Sequence, residues 1–472
     1  MKQKELKKFH VYYEKGYLID IIRLSAYNKN EQRRLSMEFI TIQEAAHRWG
    51  ITERRIQVLC SEGRLEGAKK FGRQWAIPSD TEKPEDARIK TGKYIHWREN
   101  DYSDFRPKVF SFFSGSGFLD LGFEMSDFEI VMVNEFYKPF LDAYQYSREK
   151  MEIPEPVYGY YNGDINDFLT IKKNDIKAYI EDARKDGSLV GFIGGPPCPD
   201  FSVAGKNRGS EGENGRLSQS YIDLIIEQLP DFFLFENVKG LWKTARHRAF
   251  FEKLKAELHD AGYLTTERLT NSLEYGAPQD RDRILMFGIK SALLKTPDQI
   301  EKFPWDVFRK YDLDKVKSMP WPNTNEFKKE SKIECPPDIP EELTIEYWFR
   351  KNEVTTHPNA REYFKPKAGL VRMQTVEEGD VSKKCYKRPH RWRYSPTAAY
   401  GNNEVHLHPY EERRMSVAET LAIQSLPKEF QLPPDMTLTD KFKTIGNGVP
   451  FMLSRGIAKT VYRFLNIEVK DK

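Results

Sequence analysis

The segment GFIGGPPCPDFS contains the residue of the chain whose side chain is best suited to act as a reactive group. An apolar strand runs into Gly194 and Gly195, and two prolines then fix the backbone at a stiff turn that presents Cys198. A lone cysteine is more often a small core residue. A thiolate aimed outward from such a turn is, however, a strong nucleophile near neutral pH. We therefore interpret Cys198 as a candidate nucleophile.

Two further segments carry groups that suit the addition of a thiolate to an aromatic ring. DFFLFENV supplies Glu236 at a strand end, where it can act as an acid toward a ring nitrogen, and Asn237 can orient it. A capped strand end is the alternative. QDRDR offers Arg281 and Arg283 on the same side of a strand as electrostatic clamps. Addition of a thiolate to carbon 6 of a pyrimidine makes carbon 5 nucleophilic. Together with Cys198, these residues predict methylation of that carbon.

Three other motifs predict a cofactor site. VFSFFSGSGF places Gly115 and Gly117 directly after a strand, where the backbone can approach a ligand closely. EIVMVNE ends in Glu135, which can accept hydrogen bonds from ribose hydroxyls. Asp164 in GDINDF can accept from an adenine amino group or cap a helix. The glycine turn alone also fits a dinucleotide site or a simple tight turn.

The pattern of elements from Lys108 onward indicates how these groups are positioned. Apolar strands alternate with amphipathic helices, which is typical of an α/β domain with a mainly parallel sheet. In such sheets the site lies at the carboxyl ends of the strands. The clearest strands are VFSFF, EIVMVNE, LVGFIGG, DFFLFEN and RILMFGI.

Residues 39–80 have a different texture. Thr41 and Glu44 form a capping box before one short helix, and Thr52 can cap a second one. RLEGAKKFGRQWAIP then has the pattern of a strand, a glycine turn and a strand. The segment resembles the winged helix-turn-helix of the MerR and excisionase type. A small helical module that binds protein or simply packs is the alternative.

That resemblance implies a DNA-contacting face on the second helix, formed by Arg54, Arg55 and Gln57. Residues 1–38 are polar and basic without a clear period, so they form an N-terminal extension of unknown role. Residues 81–107 are charged and broken by prolines, which is typical of a linker.

The order GSG, NE, GD, PPC, ENV, QDRDR and TIGNGVP resembles the bacterial DNA cytosine-5 methyltransferase family. The resemblance implies a Rossmann-like fold that uses S-adenosylmethionine, with helices on both faces of a mostly parallel sheet. It divides the chain into a catalytic domain 108–289, a smaller irregular target-recognition region 290–395, and a C-terminal part 396–472 that completes the catalytic domain. Amino-group methyltransferases carry an Asn or Asp before Pro-Pro, which is not found here.

The resemblance also implies residue roles. Cys198 is the nucleophile, Glu236 the acid at N3, Arg283 the contact to the cytosine oxygen, and Arg281 a support for the thiolate and backbone. Ser202 lines the site, and GKNRGSEGENGR closes over the DNA as a lid. The residues implied to bind the cofactor are Phe113, Gly115, Gly117, Glu135, Asp164, Ile165, Pro197 and Asn447.

Two positions depart from the family pattern. Many relatives have Asp where Ser111 stands, and Gln where Pro199 follows the cysteine. Neither change replaces a chemical group of the proposed reaction, so we expect an active enzyme.

In the family, the region that corresponds to 290–395 reads the target sequence. Its end, KKCYKRPHRWR, has six Lys/Arg and no acid, interleaved with aromatic residues, which suits phosphates and base edges. A run of charges is more often just a solvated face. The candidate DNA contacts here are Lys387, Arg388, Arg391 and Arg393.

Composition adds limits. A net charge of +4 on 472 residues is no evidence for nucleic acid, and four widely spaced cysteines predict reduced thiols and no metal site. Without a long apolar run or signal-peptide block, we expect a cytoplasmic prokaryotic protein.

We expect duplex DNA as the partner, a monomer on that DNA, and a cognate restriction endonuclease as a possible companion. RNA cytosine methylation is one alternative function. A DNA-binding regulator with an inactive methyltransferase domain is another, but intact Cys198, Glu236 and Asn447 speak against it.

Overall fold

The protein, seen as a computed structural model, divides into two compact units, Met1–Thr91 and Gly92–Lys472. The predicted nucleophile Cys198, Ser202 and the extension 1–38 lie outside the residues that the structure describes. Those residues are 39–49, 53–61, 65, 67–71, 74–79, 81, 105–197, 213–243, 245–366, 369–397, 400 and 404–469.

The first unit contains two short helices and a three-stranded antiparallel sheet in the order β1-β3-β2. Thr41 and Glu44 form the predicted capping box: the Thr41 N–H donates to Glu44 Oε2 at 2.8 Å, and the Glu44 N–H donates to Thr41 Oγ1 at 3.2 Å. Ile56 and Ile77, both fully buried, join helix and sheet in one apolar cluster. The elements are β1 (Phe39–Ile40), α1 (Ile42–Trp49), α2 (Glu53–Ser61), β2 (Lys69–Phe71) and β3 (Gln74–Pro78).

A seven-stranded sheet forms the centre of the second unit. Its order is β6-β5-β4-β7-β8-β11-β9, and every neighbouring pair from β6 to β8 is parallel. Only β11 runs antiparallel to its two neighbours, so the prediction of a mainly parallel sheet is confirmed. The strands are β4 (Lys108–Phe112), β5 (Glu129–Asn134), β6 (Tyr160–Tyr161), β7 (Val190–Gly194), β8 (Phe232–Val238), β9 (Tyr263–Asn271) and β11 (Asp282–Lys290).

Helices cover both faces of this sheet, because the central strands carry apolar side chains on both faces and these must be buried. Along β8, Phe232 and Leu234 belong to one apolar cluster, while Phe233 and Phe235 belong to the other. The helices between the strands are α3 (Phe118–Glu124), α4 (Lys138–Lys150), α5 (Lys173–Ala183), α6 (Glu213–Gln228), α7 (Gly240–Lys243) and α8 (Ala245–Asp260).

The region after β11 has little regular structure, as its sequence predicts. It nevertheless has apolar clusters of its own, one of them around Trp321 and Trp392, which are 8% and 1% exposed. The Trp392 indole donates to the Ile333 carbonyl at 2.7 Å. The elements here are α9 (Leu313–Ser318), α10 (Ile345–Lys351), α11 (Leu370–Thr375) and β12 (Ser395–Pro396), which pairs in parallel with β10 (Gln279–Asp280).

The chain then returns to the sheet. α14 packs on α3 so tightly that a β-carbon on Gly122 would lie 2.1 Å from the Ser454 hydroxyl oxygen. None of the helices among the described residues combines the length and the apolar character needed to cross a bilayer. The last helices are α12 (Val417–Ile423), α13 (Leu438–Asn447) and α14 (Phe451–Glu468).

Candidate active site

Four parallel strands, β4, β5, β7 and β8, end at one edge of the sheet, and the predicted chemical groups follow them at that edge. Gly115 and Gly117 come after β4, Glu135 after β5 and Pro197 after β7. Glu236 lies near the carboxyl end of β8. The sheet topology therefore brings together motifs that are up to 121 residues apart in the sequence.

The turn after β4 is open at one glycine and tightly packed at the other. Gly115 and Gly117 have φ of 56° and 78°, a region that residues with a β-carbon rarely adopt. A β-carbon on Gly115 would meet no atom within 4 Å, whereas one on Gly117 would lie 2.4 Å from the Tyr144 ring. Phe113 opens the turn, also with positive φ, and its ring meets Tyr221 edge-on. A ligand can therefore approach the backbone at Gly115.

Glu135 lies beside this turn. Its Oε2 accepts a hydrogen bond from the Gly115 N–H at 2.8 Å, and its Oε1 accepts from the Tyr137 N–H at 2.8 Å. Burial raises the pKa of this carboxyl, against the opposing effect of the backbone N–H groups. Each carboxylate oxygen has a further lone pair. Glu135 can therefore still accept hydrogen bonds from sugar hydroxyls.

Asp164 has the helix-capping role that the sequence left as an alternative. Its Oδ1 accepts from the Asn166 N–H at 2.9 Å and from the Asn166 side chain at 2.8 Å, at the start of a 3-10 helix over Ile165–Leu169. Oδ2 takes no part in this cap. Ile165 is 2% exposed and packs in the core, so its side chain is not available to a ligand.

A segment from the end of the chain closes this side of the site. The hydroxyl oxygens of Ser116 and Thr444, which are 328 residues apart in the sequence, lie 2.7 Å apart. A β-carbon on Gly448 would lie 2.1 Å from the Phe118 ring. Asn447, at the end of α13, is exposed beside these contacts. The TIGNGVP segment thus lies against the glycine turn.

Two residues near this pocket were missed by the sequence analysis. Phe136 follows Glu135 with 71% of its surface exposed, which is unusual for an aromatic side chain and leaves its ring available for stacking on a flat ligand. Asn162 donates to the carbonyls of Glu135 and Phe136, both at 2.9 Å, and so holds this strand end. The aromatic residue directly after the acidic strand end was the available signal for Phe136.

We call the part of the site around Glu236 and the Gly195–Pro197 turn the reacting side. It contains a buried ion pair between neighbouring strands. Arg283 Nε lies 2.7 Å from Glu236 Oε1, and both side chains are about nine-tenths buried. Arg283 is opposite Val238 and Leu285 is opposite Glu236, so the paired side chains share one face of the sheet. A β-carbon on Gly195 would lie 2.6 Å from Glu236 Oε2. The carboxyl group therefore reaches the turn that leads into Cys198.

Asn237 and Arg281 differ in detail from their predicted roles. The Asn237 amide donates to the Pro196 carbonyl at 3.4 Å, so it supports the proline turn and does not orient Glu236. Arg281 donates to the carbonyls of Gly446 at 2.7 Å and Asn447 at 3.3 Å. Burial, and then the nearby Arg283, lower the pKa of Arg281 well below its usual value. Arg281 therefore links the reacting side to the cofactor side.

The predicted DNA contacts of the irregular region fall into two groups. Lys387 and Arg393 are partly exposed, and Lys387 lies 3.6 Å from Glu404. Arg388 is fully buried, and its guanidinium donates to carbonyls that include those of Val376 and Glu411, at 2.8 and 3.1 Å.

Arg391 is buried as well. Its guanidinium pairs with Glu378 at 2.7 Å and donates to the Ser331 hydroxyl at 2.6 Å. The expectation that Arg388 and Arg391 contact DNA from an open surface is therefore wrong in this structure, because both guanidinium groups are buried and bind other groups of the protein. A charge run in the sequence does not reveal such partners.

On the second helix of the first unit, Gln57 is exposed, as predicted. Arg54 and Arg55 lie in the same helix, but their side chains are outside the described residues. Lys69 and Lys70 on β2 add two exposed cations that the sequence analysis did not single out.

Comparisons with known proteins identify the family of this chain. The family model of the C-5 cytosine-specific DNA methylases matches residues 107–463. Type II methyltransferase M.NmeDI of Neisseria meningitidis serogroup C is 57% identical over 358 residues, which are 76% of this chain and 84% of that protein. Type II methyltransferase M.FnuDI of Fusobacterium nucleatum is 29% identical, over 77% of this chain and 97% of the relative.

A solved structure adds support for the fold. The crystal structure of a chain described as a DNA modification methyltransferase encoded within an E. coli prophage superposes with a TM-score of 0.53. The two chains are 21% identical, and the match covers 76% of this chain and 99% of the other. At this identity the likeness concerns the fold alone.

A mainly parallel α/β sheet with a glycine turn, an acidic strand end and a buried acid beside a proline turn is typical of enzymes that bind a nucleotide-type cofactor. The chain belongs to the C-5 cytosine-specific DNA methylase family, whose model covers more than half of it. It is a DNA cytosine-5 methyltransferase, and its methyl donor is S-adenosylmethionine.

Proposed function

We propose that this enzyme methylates cytosine within one short duplex sequence and that Cys198 is its covalent nucleophile. The observation that carries the proposal is the buried Glu236–Arg283 pair, which lies against Gly195 at the base of the turn leading to Cys198. An acid and a cation held together beside Gly195, three residues before Cys198 in the sequence, suit the activation of a pyrimidine ring.

In the proposed reaction, the Cys198 thiolate forms a bond to carbon 6 of the extruded cytosine. The displaced ring electrons move toward N3, which takes a proton from Glu236 after this carboxylate has picked one up from water, and carbon 5 becomes the nucleophile that takes the methyl group. Arg283, fixed by Glu236, has further N–H groups that can bind the oxygen of the base. Water, acting as the base, then removes the carbon 5 proton, the bond from sulfur to carbon 6 breaks to release the thiolate, and the N3 proton returns to Glu236, which restores the ring. When bound, S-adenosylmethionine supplies the methyl group.

We assign the cofactor to the pocket beside the glycine turn. Gly115 leaves open space for a ligand, and Glu135 can accept from ribose hydroxyls while it holds the turn. We assign Phe113 and Phe136 to contacts with the adenine ring, and Asp164 offers its Oδ2. Pro197 and Asn447 complete the pocket, and Gly117 keeps the turn in place.

Recognition of the target base sequence is assigned to the irregular region 290–395, with Lys387 and Arg393 as phosphate contacts. Both are basic and partly exposed. Ser202 and the glycine-rich lid are assigned to the DNA side on the family resemblance alone. The target base must leave the stack to react, so contacts in this region also hold the opened duplex.

For residues 39–80 we propose a winged helix-turn-helix that binds DNA. Two helices, a β2–β3 hairpin and exposed Gln57, Lys69 and Lys70 support this assignment. The module adds DNA affinity or regulates transcription, and these two roles are compatible with each other. The alternative is a module that binds protein or only packs.

The printed names of the relatives describe Type II methyltransferases. We therefore propose that this chain also protects host DNA in a restriction-modification setting, as a monomer on its duplex, with a cognate endonuclease for the same site. Digestion of host DNA by such an endonuclease, with and without expression of this chain, tests the pairing.

The central experiment measures transfer of labelled methyl to duplex DNA and locates the product by bisulfite sequencing. We expect methylcytosine in one short motif, and loss of transfer in Cys198→Ala. Cys335→Ala is the matched control, since Cys335 is a partly buried free thiol outside the basic segment KKCYKRPHRWR, and it should retain activity. Transfer that survives Cys198→Ala, or that occurs only on RNA, would contradict the proposal.

A further inference from the structure

Arg148 on α4 is an arginine buried beneath the glycine turn, with 2% of its surface exposed. Its Nη2 donates a hydrogen bond to the Gly117 carbonyl at 2.7 Å. A β-carbon on Gly117 would lie 2.7 Å from this same nitrogen. The turn and the guanidinium are therefore in direct contact, although 31 residues separate them in the sequence.

The guanidinium is itself held from several sides. Its Nε lies 2.8 Å from Glu124 Oε2, and its carbon lies 4.3 Å from the centre of the Tyr144 ring. The Tyr144 hydroxyl donates to Glu124 Oε1 at 3.3 Å. Burial acts to lower the pKa of Arg148, but Glu124, Tyr144 and Asp120 raise it, and the net shift is upward. The group therefore remains charged.

These contacts fix the end of the turn. The Gly117 carbonyl accepts from the Leu121 N–H at 3.0 Å and from Arg148, so its peptide plane is set by two donors. At the other end, Glu135 accepts from the Gly115 N–H. Ser116 lies between these two contacts, and its hydroxyl reaches Thr444. The backbone next to the open position at Gly115 is thus clamped from both sides.

We propose that Arg148 is a positioning residue for S-adenosylmethionine, which sets the affinity for the cofactor by fixing the glycine turn without touching the ligand. This inference rests on the proposed location of the cofactor beside Gly115. A preorganised backbone binds more tightly because less conformational freedom is lost on binding. The competing view is that Arg148 only stabilises the fold.

The test is calorimetric binding of S-adenosylmethionine to the full chain. Arg148→Met removes the donors at similar length, and we expect its Kd to rise about 10- to 100-fold, as for the loss of a charged hydrogen bond. At saturating cofactor, kcat should stay within about threefold of wild type. Arg148→Lys keeps a charge near Glu124 but cannot serve both partners, so its Kd should rise by about three- to tenfold.

Arg184→Met is the matched control. Arg184 also donates to a carbonyl, that of Leu229 at 2.9 Å, and pairs with Asp231 at 3.0 Å, but at the opposite edge of the sheet. The Kd of Arg184→Met for S-adenosylmethionine should equal that of wild type. An equal loss of affinity in Arg184→Met would show general destabilisation and would overturn the inference.

The Arg148 variants and one further variant, Glu135→Ala, decide between the inference and its alternatives. A wild-type Kd in folded Arg148→Met overturns the inference, and if that variant does not fold, a wild-type Kd in Arg148→Lys does so. Glu135→Ala separates the two proposals. If it binds the cofactor as tightly as wild type, the proposed pocket itself is wrong, whereas weak binding by Glu135→Ala with normal binding by the Arg148 variants removes only the role of Arg148.

Discussion

At the scale of single residues, the reacting side depends on a carboxyl and a guanidinium that are buried together. Removing one partner of such a pair leaves an uncompensated buried charge, which is costly for stability and for any geometry built on the pair. Glu236 and Arg283 are held on neighbouring strands, so their relative position is set by the sheet and not by a loop. This arrangement favours a preorganised acid and clamp.

Replacing Glu236 with Gln keeps the size of the side chain but removes the group that delivers the proton. We expect kcat to fall about 10²- to 10⁴-fold, the usual contribution of a general acid, with the Kd for S-adenosylmethionine within about threefold of wild type. Single-turnover methyl transfer measures the rate. Glu267→Gln is the control. Glu267 lies on the sheet's edge strand β9 and pairs with Lys255 of α8, so this variant should leave the rate unchanged. A Glu236→Gln rate within tenfold of wild type would exclude the acid role.

The residues that the sequence predicted well and poorly differ for a physical reason. Glu135 and Glu236 could be predicted because strand ends in a parallel sheet converge on one edge. Arg388 and Arg391 were misjudged because their partners, which are several backbone carbonyls for Arg388 and Glu378 for Arg391, leave no trace in a helical or strand pattern. The burial of Arg148 had no sequence signal for the same reason.

At the scale of elements, apolar strands were easier to predict than half-buried ones. β4, β7 and β8 are buried on both faces and read as continuous apolar runs. β9 has the polar sequence YLTTERLTN and lies at the sheet's edge, and β6 has only two residues, so neither stood out. The helix α3 is also unusual, since all of its residues are buried, including Asp120 and Glu124.

The burial of Asp120 on α3 predicts a pH-dependent stability. Burial raises the pKa of this carboxyl to about 7, although Arg148 acts in the opposite direction. In the unfolded chain the pKa is about 4. Between pH 4 and pH 7, folding therefore takes up a proton, so the free energy of unfolding falls as the pH rises, and the full loss is present above pH 7.

Asp120→Asn lacks this proton uptake, and the comparison with wild type isolates it from other titrating groups. We expect the melting temperature of Asp120→Asn minus that of wild type to increase from pH 5 to about pH 7.5 and then to level off. Thermal unfolding of both full chains across this range is the measurement. Melting temperatures that run parallel over the whole range would contradict the assignment of a raised pKa to Asp120.

At the scale of the whole molecule, the site is assembled by a return of the chain. α13 and α14, from the last forty residues, place Thr444 and Gly448 against the glycine turn that forms at residues 114–117. This closure could be predicted only through the TIGNGVP motif, because no local pattern links segments more than 300 residues apart. The first unit, by contrast, has its own apolar cluster and its own sheet.

The first unit can be tested directly as a DNA-binding module. If residues 39–80 bind DNA, a full-length variant with Arg54, Arg55 and Gln57 changed to Ala loses phosphate and base contacts but no catalytic group. We expect its KM for duplex DNA to rise about tenfold at physiological salt, and the slope of log KM against log salt to become shallower, since fewer counterions are released on binding. The methylated motif and kcat should not change. Gln43→Ala, at an exposed position on α1, is the control and should match wild type. An unchanged KM and salt slope in the triple variant would instead favour a module that binds protein or only packs.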